Sequence, residues 1–293
     1  MSSEFPLFRL PLIVLNHGLK LMTPFEIDHI AGEEKLLKFY VPMEDGCFGF
    51  RTFINHLSFI FNITLTDLEL HFQDFTRDEN EIIIDLYCGN TTRNTNYAKK
   101  LTLVGESVST PGDDELVNHI LNRQEAECKL TLDMQSFTFN IRRSQFRYIP
   151  NQLVIQNPNW VTSSDIKYFN SFSVLIFSAH SIMWWWYVEN LIERWYFGWT
   201  PNWTVMMIEF LFINIDDIIN KIRERIPDSD LLRSEETIEG PDGLSHRIKY
   251  SINREDGIIA EFLVENNKYL YIRSRDNTDI SLSTFITKIK PMM

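Results

Sequence analysis

Short alternating apolar runs recur through the middle of the chain: Leu68-Glu69-Leu70, Leu101-Thr102-Leu103, Leu130-Thr131-Leu132, Leu153-Val154-Ile155, Leu175-Ile176-Phe177 and Met206-Met207-Ile208. Alternation of period two puts every second side chain on one face of an extended strand, so each run predicts a short strand. Between them lie amphipathic pieces with the 3.6-residue period of helices; Glu115 to Leu121, with Leu116, Val117, Ile120 and Leu121, is one. The strongest helix pattern runs from about Met183 to Tyr196 and ends near Gly198, a natural stop. Its Trp184, Val188, Leu191, Ile192 and Trp195 share one face, and Glu189, Asn190, Glu193 and Arg194 share the other. Trp186 falls in the middle of that polar arc, and Phe197 lies on the same arc. An aromatic placed so is either covered by a neighbouring segment, the ordinary fate of large aromatics, or exposed for a partner.

The starts of the strand runs lie roughly 22 to 33 residues apart, close to the strand-plus-helix unit of a leucine-rich repeat. The asparagine ladder of a regular repeat is missing, so the prediction is an irregular leucine-rich-repeat-like strand/helix stack over about residues 60–226. The alternative is an ordinary α/β sheet with crossover helices. Ile215, Ile218, Ile219, Ile222 and Ile226 mark a last amphipathic helix, stopped by Pro227. Residues 227–243 are acidic and aperiodic and read as a loop or linker. Three strand-like runs then follow, Arg247 to Ile252, Ile258 to Glu265 and Tyr269 to Ser274, with turn residues Asp256-Gly257 and Asn266-Asn267 between them. That order predicts a C-terminal antiparallel meander over residues 244–290, packing on the stack.

The first thirty residues read as a helical pair. Pro11 suits a first helical turn, and Val14, Leu15, Leu19 and Met22 form an apolar stripe after it. Thr23, Pro24 and Glu26 make a second start signal of capping-box form. The fold class is therefore α/β: a short N-terminal helical segment (1–30), a connecting segment (31–59), the strand/helix stack and the meander.

Composition narrows the function classes. In 293 residues there are 28 basic and 40 acidic side chains, a net charge of −12, which gives nothing to attract phosphate and argues against nucleic-acid binding. Three scattered cysteines, Cys47, Cys88 and Cys128, form no CxxC pair, so neither a disulfide framework nor a zinc site is suggested. The N-terminus has no positive n-region, which predicts a reducing compartment, cytosol or nucleus, and makes the sequons at Asn62, Asn90 and Asn202 chance matches. Between Lys167 and Glu189 no charged residue occurs, long enough to cross a bilayer, but Asn170, His180 and four serines interrupt it and no Lys/Arg cluster flanks it. A membrane-associated protein using residues 168–188 remains a lesser alternative to a protein without membrane contact.

No phosphate-binding loop, dinucleotide fingerprint or nucleophile elbow is present, and the seven histidines are scattered. His180, beside Ser178 and Ser181, reads as a hydrogen-bonded structural residue. Asp113-Asp114-Glu115 and Asp216-Asp217 sit at helix starts, where carboxylates offset the positive end of the dipole. An enzyme is not indicated, no cofactor or metal is called for, and a binding module becomes the expectation. Six of the seven tryptophans fall between residues 184 and 203, which makes that segment the first place to look for a binding surface.

The spelling Phe5-Pro-Leu-Phe-Arg-Leu-Pro-Leu-Ile-Val-Leu15, continued by Met22-Thr-Pro-Phe-Glu-Ile27, resembles the first half of an F-box. Leu10 and Pro11 match its opening, Val14 and Leu15 the first anchors, Leu19 and Met22 the later ones, and Pro24 and Ile27 the second helix. The segments Leu153-Val-Ile-Gln-Asn-Pro-Asn-Trp160-Val-Thr162, Val188-Glu-Asn-Leu-Ile-Glu-Arg-Trp195 with Gly198 and Trp199, and Arg254-Glu-Asp-Gly257 are similar to the F-box-associated domain of the large nematode F-box family. Gly18 stands where the family carries an apolar helix residue, and the third F-box helix is replaced after Ile27. The resemblance implies a substrate-recognition subunit of a cullin–RING ubiquitin ligase. Leu10, Pro11, Val14, Leu15, Leu19, Met22, Pro24 and Ile27 would bind the Skp-type adaptor of the cullin complex, and Trp186 and Phe197 an unknown protein substrate. The rival of the same ancestry is a non-catalytic interaction module that has lost adaptor binding.

Overall fold

The computed structural model describes residues 55, 65–89, 97–105, 110–136, 139, 141, 146–181, 183–223, 225, 231–240 and 243–275. The adaptor-contact candidates Leu10, Pro11, Val14, Leu15, Leu19, Met22, Pro24 and Ile27 lie outside them. Thr66 onward forms one compact unit, distinct from Met1–Leu65.

All six alternating runs become strands: β1 (Asp67–His71), β2 (Lys100–Val104), β3 (Lys129–Asp133), β4 (Gln152–Gln156), β5 (Ser173–Ile176) and β6 (Val205–Glu209). They pair in parallel and stand in chain order across the sheet, so no topological switch interrupts them. Uniform order with right-handed crossovers places every connection on the same face. The described helices accordingly form one layer: α1 (Arg77–Tyr87), α2 (Pro111–Leu121), α3 (Ser163–Ile166), α4 (Met183–Tyr196) and α5 (Ile215–Ile222). Within it α1 packs on α2, α3 on α4, and α4 on α5.

Three of these helices open with the same device. Thr76, Thr110 and Thr162 are N-caps whose backbone N–H groups donate to Glu79, Asp113 and Asp165 at 2.7, 2.6 and 2.8 Å. Each carboxylate sits three residues into its helix and satisfies a donor that the helix start would leave free. The Thr76 backbone and hydroxyl hold Glu79 below the usual carboxylate range.

β6 is followed across the sheet by an antiparallel meander in reverse chain order: β10 (Tyr269–Arg275), β9 (Ile259–Glu265), β8 (Gly243–Asn253) and β7 (Leu231–Gly240). One ten-stranded sheet results, with mixed α/β architecture. Residues 227–243, expected to be a loop or linker, are corrected here: Leu231–Gly240 pairs with β8 from Leu231↔Ile252 to Gly240↔Gly243. An edge strand is held by one neighbour and is largely open to water, so it shows no apolar alternation. Its charges (Arg233, Glu235, Glu236, Glu239) are the residues that keep an open edge from pairing further. The expected runs around 247, 259 and 269 are strands as read.

Registers show how the alternation sorts the two faces. Toward the helices, one row runs Leu68–Leu101–Leu130–Leu153–Val174–Met206 and continues through Ile272, Phe262 and Tyr250. On the opposite face the row Glu69–Thr102–Thr131–Val154–Leu175–Met207–Tyr271–Leu263–Lys249 is polar at both ends and apolar in the middle. Val154, Leu175, Val205, Met207, Leu263 and Tyr271 form a buried cluster there. Burial pushes the Tyr271 hydroxyl well above its ordinary range, with Glu265 adding to the shift.

Residues 168–188 do not form one element. They divide into β5 and the first turns of α4, and among the described residues no helix is long and apolar enough to cross a membrane.

Candidate functional site

Helix α4 carries the tryptophan cluster. Trp184, Val188, Leu191, Ile192 and Trp195 are buried against the sheet, as their spacing predicts. On the opposite arc Trp186 is 62% exposed and Phe197 67%, whereas Trp184, two residues away, is 1% exposed. The ordinary expectation that a neighbouring segment covers Trp186 is thus corrected: the side chain projects away from the core. Met183, half-exposed in the first turn, continues the same arc. From 186 to 197 the helical rise spans about 16 Å, so the two aromatics stand at opposite ends of one helix face.

The polar residues of the arc bond within the helix and to the α5 side. The Asn190 amide donates to the Trp186 carbonyl oxygen at 2.8 Å. Glu193 accepts from Arg225 at 2.6 Å, and Glu189 faces Lys221 at 3.9 Å. Phe197 meets the Tyr196 ring edge to face, with centroids 5.5 Å apart. Just beyond, Gly198 adopts φ +104, its N–H donating to the Trp195 oxygen at 3.1 Å while Trp199 N–H donates to the Arg194 oxygen at 3.0 Å. This pair of bonds is a Schellman stop, and it turns the chain sharply under Phe197.

A second exposed apolar pair was not singled out from the sequence. Leu211 and Phe212, in the connection from β6 to α5, are 78% and 57% exposed. In the sequence they merge with the apolar run of β6 and the isoleucines of α5, so periodicity alone offers no means of separating them from the core.

The segments that carry the family resemblance have internal roles. Asn157 takes the left-handed conformation that ends β4. The indole of Trp160 then stacks edge to face on Phe139 at 5.1 Å and donates to the Met134 oxygen at 3.3 Å. Arg254 ties the Trp195–Trp199 turn to the β8–β9 turn through main-chain oxygens. Trp195, Trp199 and Trp203 line a shallow cleft with Leu191, Phe262 and Ile272.

Titratable groups are grouped structurally. Ser178, with φ 57, donates its N–H to a Glu209 carboxylate oxygen at 3.2 Å, and Lys268 approaches that carboxylate at 2.8 Å. Burial works to raise the Glu209 pKa, but Lys268 and the Ser178 amide outweigh it and the net shift is downward. His180, the histidine between the serines, is exposed, and its backbone N–H donates to the Ser178 oxygen at 2.8 Å. Among the described residues no group of three His, Cys, Asp or Glu side chains is placed to hold a metal ion. Cys88 is fully buried, and that burial pushes its thiol up to about 11.

What the exposed arc can do chemically is offer apolar area. Protein surfaces seldom leave a tryptophan this open, and such side chains serve as anchors when a partner covers them. No family model matches the chain, and no curated protein matches it.

Proposed function

We propose that this protein is the substrate-recognition subunit of a cullin–RING (Skp–cullin–F-box) ubiquitin ligase. Residues 1–30 dock on the Skp-type adaptor through Leu10, Pro11, Val14, Leu15, Leu19, Met22, Pro24 and Ile27. The irregular leucine-rich-repeat-like stack and its meander hold the target protein, in the cytoplasm or nucleus. The receptor performs no chemistry; tethering raises the effective concentration of the target beside the ubiquitin-loaded enzyme.

The observation that supports this reading is the uncovered aromatic arc of α4, with Trp186 and Phe197 open to solvent on a helix whose other face is packed. Rigid aromatics on a fixed helix lose little side-chain freedom on binding, which suits a recognition surface. The F-box-like spelling at Leu10-Pro11 supplies the assignment to the ligase.

A non-catalytic interaction module that has lost adaptor binding is the second reading, favoured by one sequence feature. Gly18 stands where the F-box family carries an apolar helix residue, a position at which glycine would cost about 1 kcal/mol relative to alanine, and the sequence expected for the third F-box helix is replaced. Co-purification of the full chain with the Skp-type adaptor decides between them. The wild type is expected to bind and a Pro11→Ala/Leu19→Ala double variant to lose binding; a wild type that does not bind overturns the ligase assignment.

A further inference from the structure

Successive residues of an α-helix turn about 100° around its axis, so Met183, Trp186, Asn190, Arg194 and Phe197 fall within an arc about 80° wide. Phe197 belongs to the same spiral although α4 ends at Tyr196, because its N–H keeps the helical bond to the Glu193 oxygen at 3.1 Å. These five residues recur every three or four positions along about 21 Å of helix, the spacing at which one helix presents a seam to another. Met183, Trp186, Arg194 and Phe197 are all exposed, and Asn190 is half-buried between them. One helix therefore places them on one continuous face.

The charges beside this face are matched except for one. Glu189 and Glu193 lie on its flank toward α5, where Glu193 accepts from Arg225 and Glu189 faces Lys221. Arg194 is different: its guanidinium has no hydrogen bond, ion pair or ring contact among the described residues. A cation in the last turn suits the negative end of the helix dipole, which accounts for its sign. The head group itself stays unmatched, on a face otherwise made of Met183, Trp186, Asn190 and Phe197.

We infer that this face of α4 is the docking seam for an amphipathic helix of the target protein, one that carries apolar residues at three- and four-residue spacing and an Asp or Glu opposite Arg194. Backbone chemistry selects a helix. The N–H and C=O groups of α4 are used within it, so an extended segment laid along it would bury main-chain groups without partners, whereas a helix arrives with its own already bonded. Charge selects the acid. Closing a partner over Arg194 takes the guanidinium out of water, and a carboxylate compensates that loss while Lys or Arg adds to it. A second copy of the same face brings another Arg194, and its Glu189 and Glu193 are already held by α5. The inference rests on the receptor reading in taking the partner to be its target. Adaptor co-purification reads residues 1–30, so it can fail while this seam holds, and the seam can fail while the adaptor binds.

The test is selection, on the full chain, from a displayed library of helical peptides about 20 residues long, a length at which a single alanine-rich helix forms in water. Fluorescence anisotropy then measures the selected peptides. They are expected to carry apolar residues at the seam spacing with an acidic residue among them. Trp186→Ser and Phe197→Ser each weaken binding about tenfold, as truncated anchors do. Arg194→Glu also weakens it, and exchanging the peptide's acidic residue for Lys restores binding to that variant, a rescue that a merely structural role for Arg194 would not produce. All three positions are exposed, so each variant is expected to melt with the wild type. Binders without an acidic residue, affinity unchanged by Arg194→Glu or by both aromatic variants, or recovery of no binder overturns the inference. Two other results overturn it as well. A dimer in sedimentation equilibrium that Trp186→Ser dissolves gives the face to a second copy, and flotation with phosphatidylserine vesicles that Arg194→Glu abolishes gives it to a membrane.

Discussion

Arg254 caps α4, the helix that ends at Tyr196. Its Nη1 donates to the main-chain oxygens of Trp195 at 2.9 Å and Trp199 at 3.3 Å, and its guanidinium lies 5.0 Å from the centroid of the Trp195 ring. A cation at a helix C-terminus meets both the unpaired carbonyls and the negative end of the dipole. Asp256 holds the fork in place with two bonds to Nε and one to Nη2, and that contact in turn keeps the Asp256 carboxyl below its ordinary range. The turn between β8 and β9 is thereby fastened to the end of α4, directly under the exposed arc.

Arg254→Met removes both carbonyl contacts and leaves their acceptors partly shielded from water. Hydrogen bonds to charged groups contribute roughly 1.5–3 kcal/mol, so a loss of about 2 kcal/mol is expected. For a unit of this size that lowers Tm by about 4–8 °C. Arg254→Lys keeps the charge but not the fork and restores only part of the loss. Differential scanning calorimetry of the three proteins checks this; a Met variant that melts with the wild type refutes the cap.

Two glycines in helical contexts should respond oppositely to alanine. Gly198 holds φ +104, a left-handed conformation that an added Cβ strains even though no atom lies within 4 Å of it. Gly198→Ala is expected to destabilise by about 1–2 kcal/mol. Gly112, at the second position of α2, has ordinary φ and meets only the Thr110 hydroxyl, at 3.7 Å. There alanine reduces the freedom of the unfolded chain and is expected to stabilise by about 0.4–1 kcal/mol. Urea unfolding of both variants measures the pair, and equal signs would contradict the backbone assignment.

Stability should fall at both ends of the pH scale through one cluster. Asp216 accepts from the Tyr250 hydroxyl and from Arg233, and although burial pulls its pKa up, these partners set it below the ordinary value. A depressed carboxylate contributes fully above its unfolded pKa of about 3.9, and the contribution is lost as pH falls through the folded value. Tyr250 is pushed up to about 12, by burial first and by its hydrogen bond to Asp216 second. A raised tyrosine contributes fully below its unfolded pKa of about 10, and the contribution is lost as pH rises toward 12. Melting between pH 3 and 12 is expected to show both limbs. Asp216→Asn should shallow the acid limb and Tyr250→Phe the alkaline one. Unchanged limbs would remove this cluster from the pH response.

Legibility followed how many faces of an element are buried. The strands β1–β6 each bury a face under the helices, so their alternation marks all six in the sequence, and the buried stripe of α4 marks that helix from Met183 to Tyr196. β7 buries almost nothing, and its Arg233-Ser-Glu-Glu-Thr237 run carries the charge of a loop; only pairing with β8 makes it a strand. The chain order of the parallel strands follows from the repeat spacing, but the joining of β10 to β6 is a long-range pairing that no local pattern encodes. At the candidate surface, Trp186 and Phe197 stand out because they break a polar arc. Leu211 and Phe212 do not, because they sit inside the unbroken apolar run Phe210–Ile213, whose two outer residues are core. The capping threonines Thr76, Thr110 and Thr162 were readable as motifs and would have placed three helix starts.

Trp184 and Trp186 differ by two residues and by half a turn, and they separate stability from binding. Trp184 is fully buried and meets the Tyr187 ring edge to face at 5.3 Å, so Trp184→Ala opens a cavity in the core. Such a truncation costs about 3–5 kcal/mol. Trp186→Ala removes a side chain that is 62% exposed and is expected to change stability by no more than about 0.5 kcal/mol. Chemical denaturation of the two variants, run beside the wild type, reads this directly. A Trp186 variant as unstable as the Trp184 variant would mean that the indole supports the fold, and the exposed arc would lose its claim to be a surface kept for a partner.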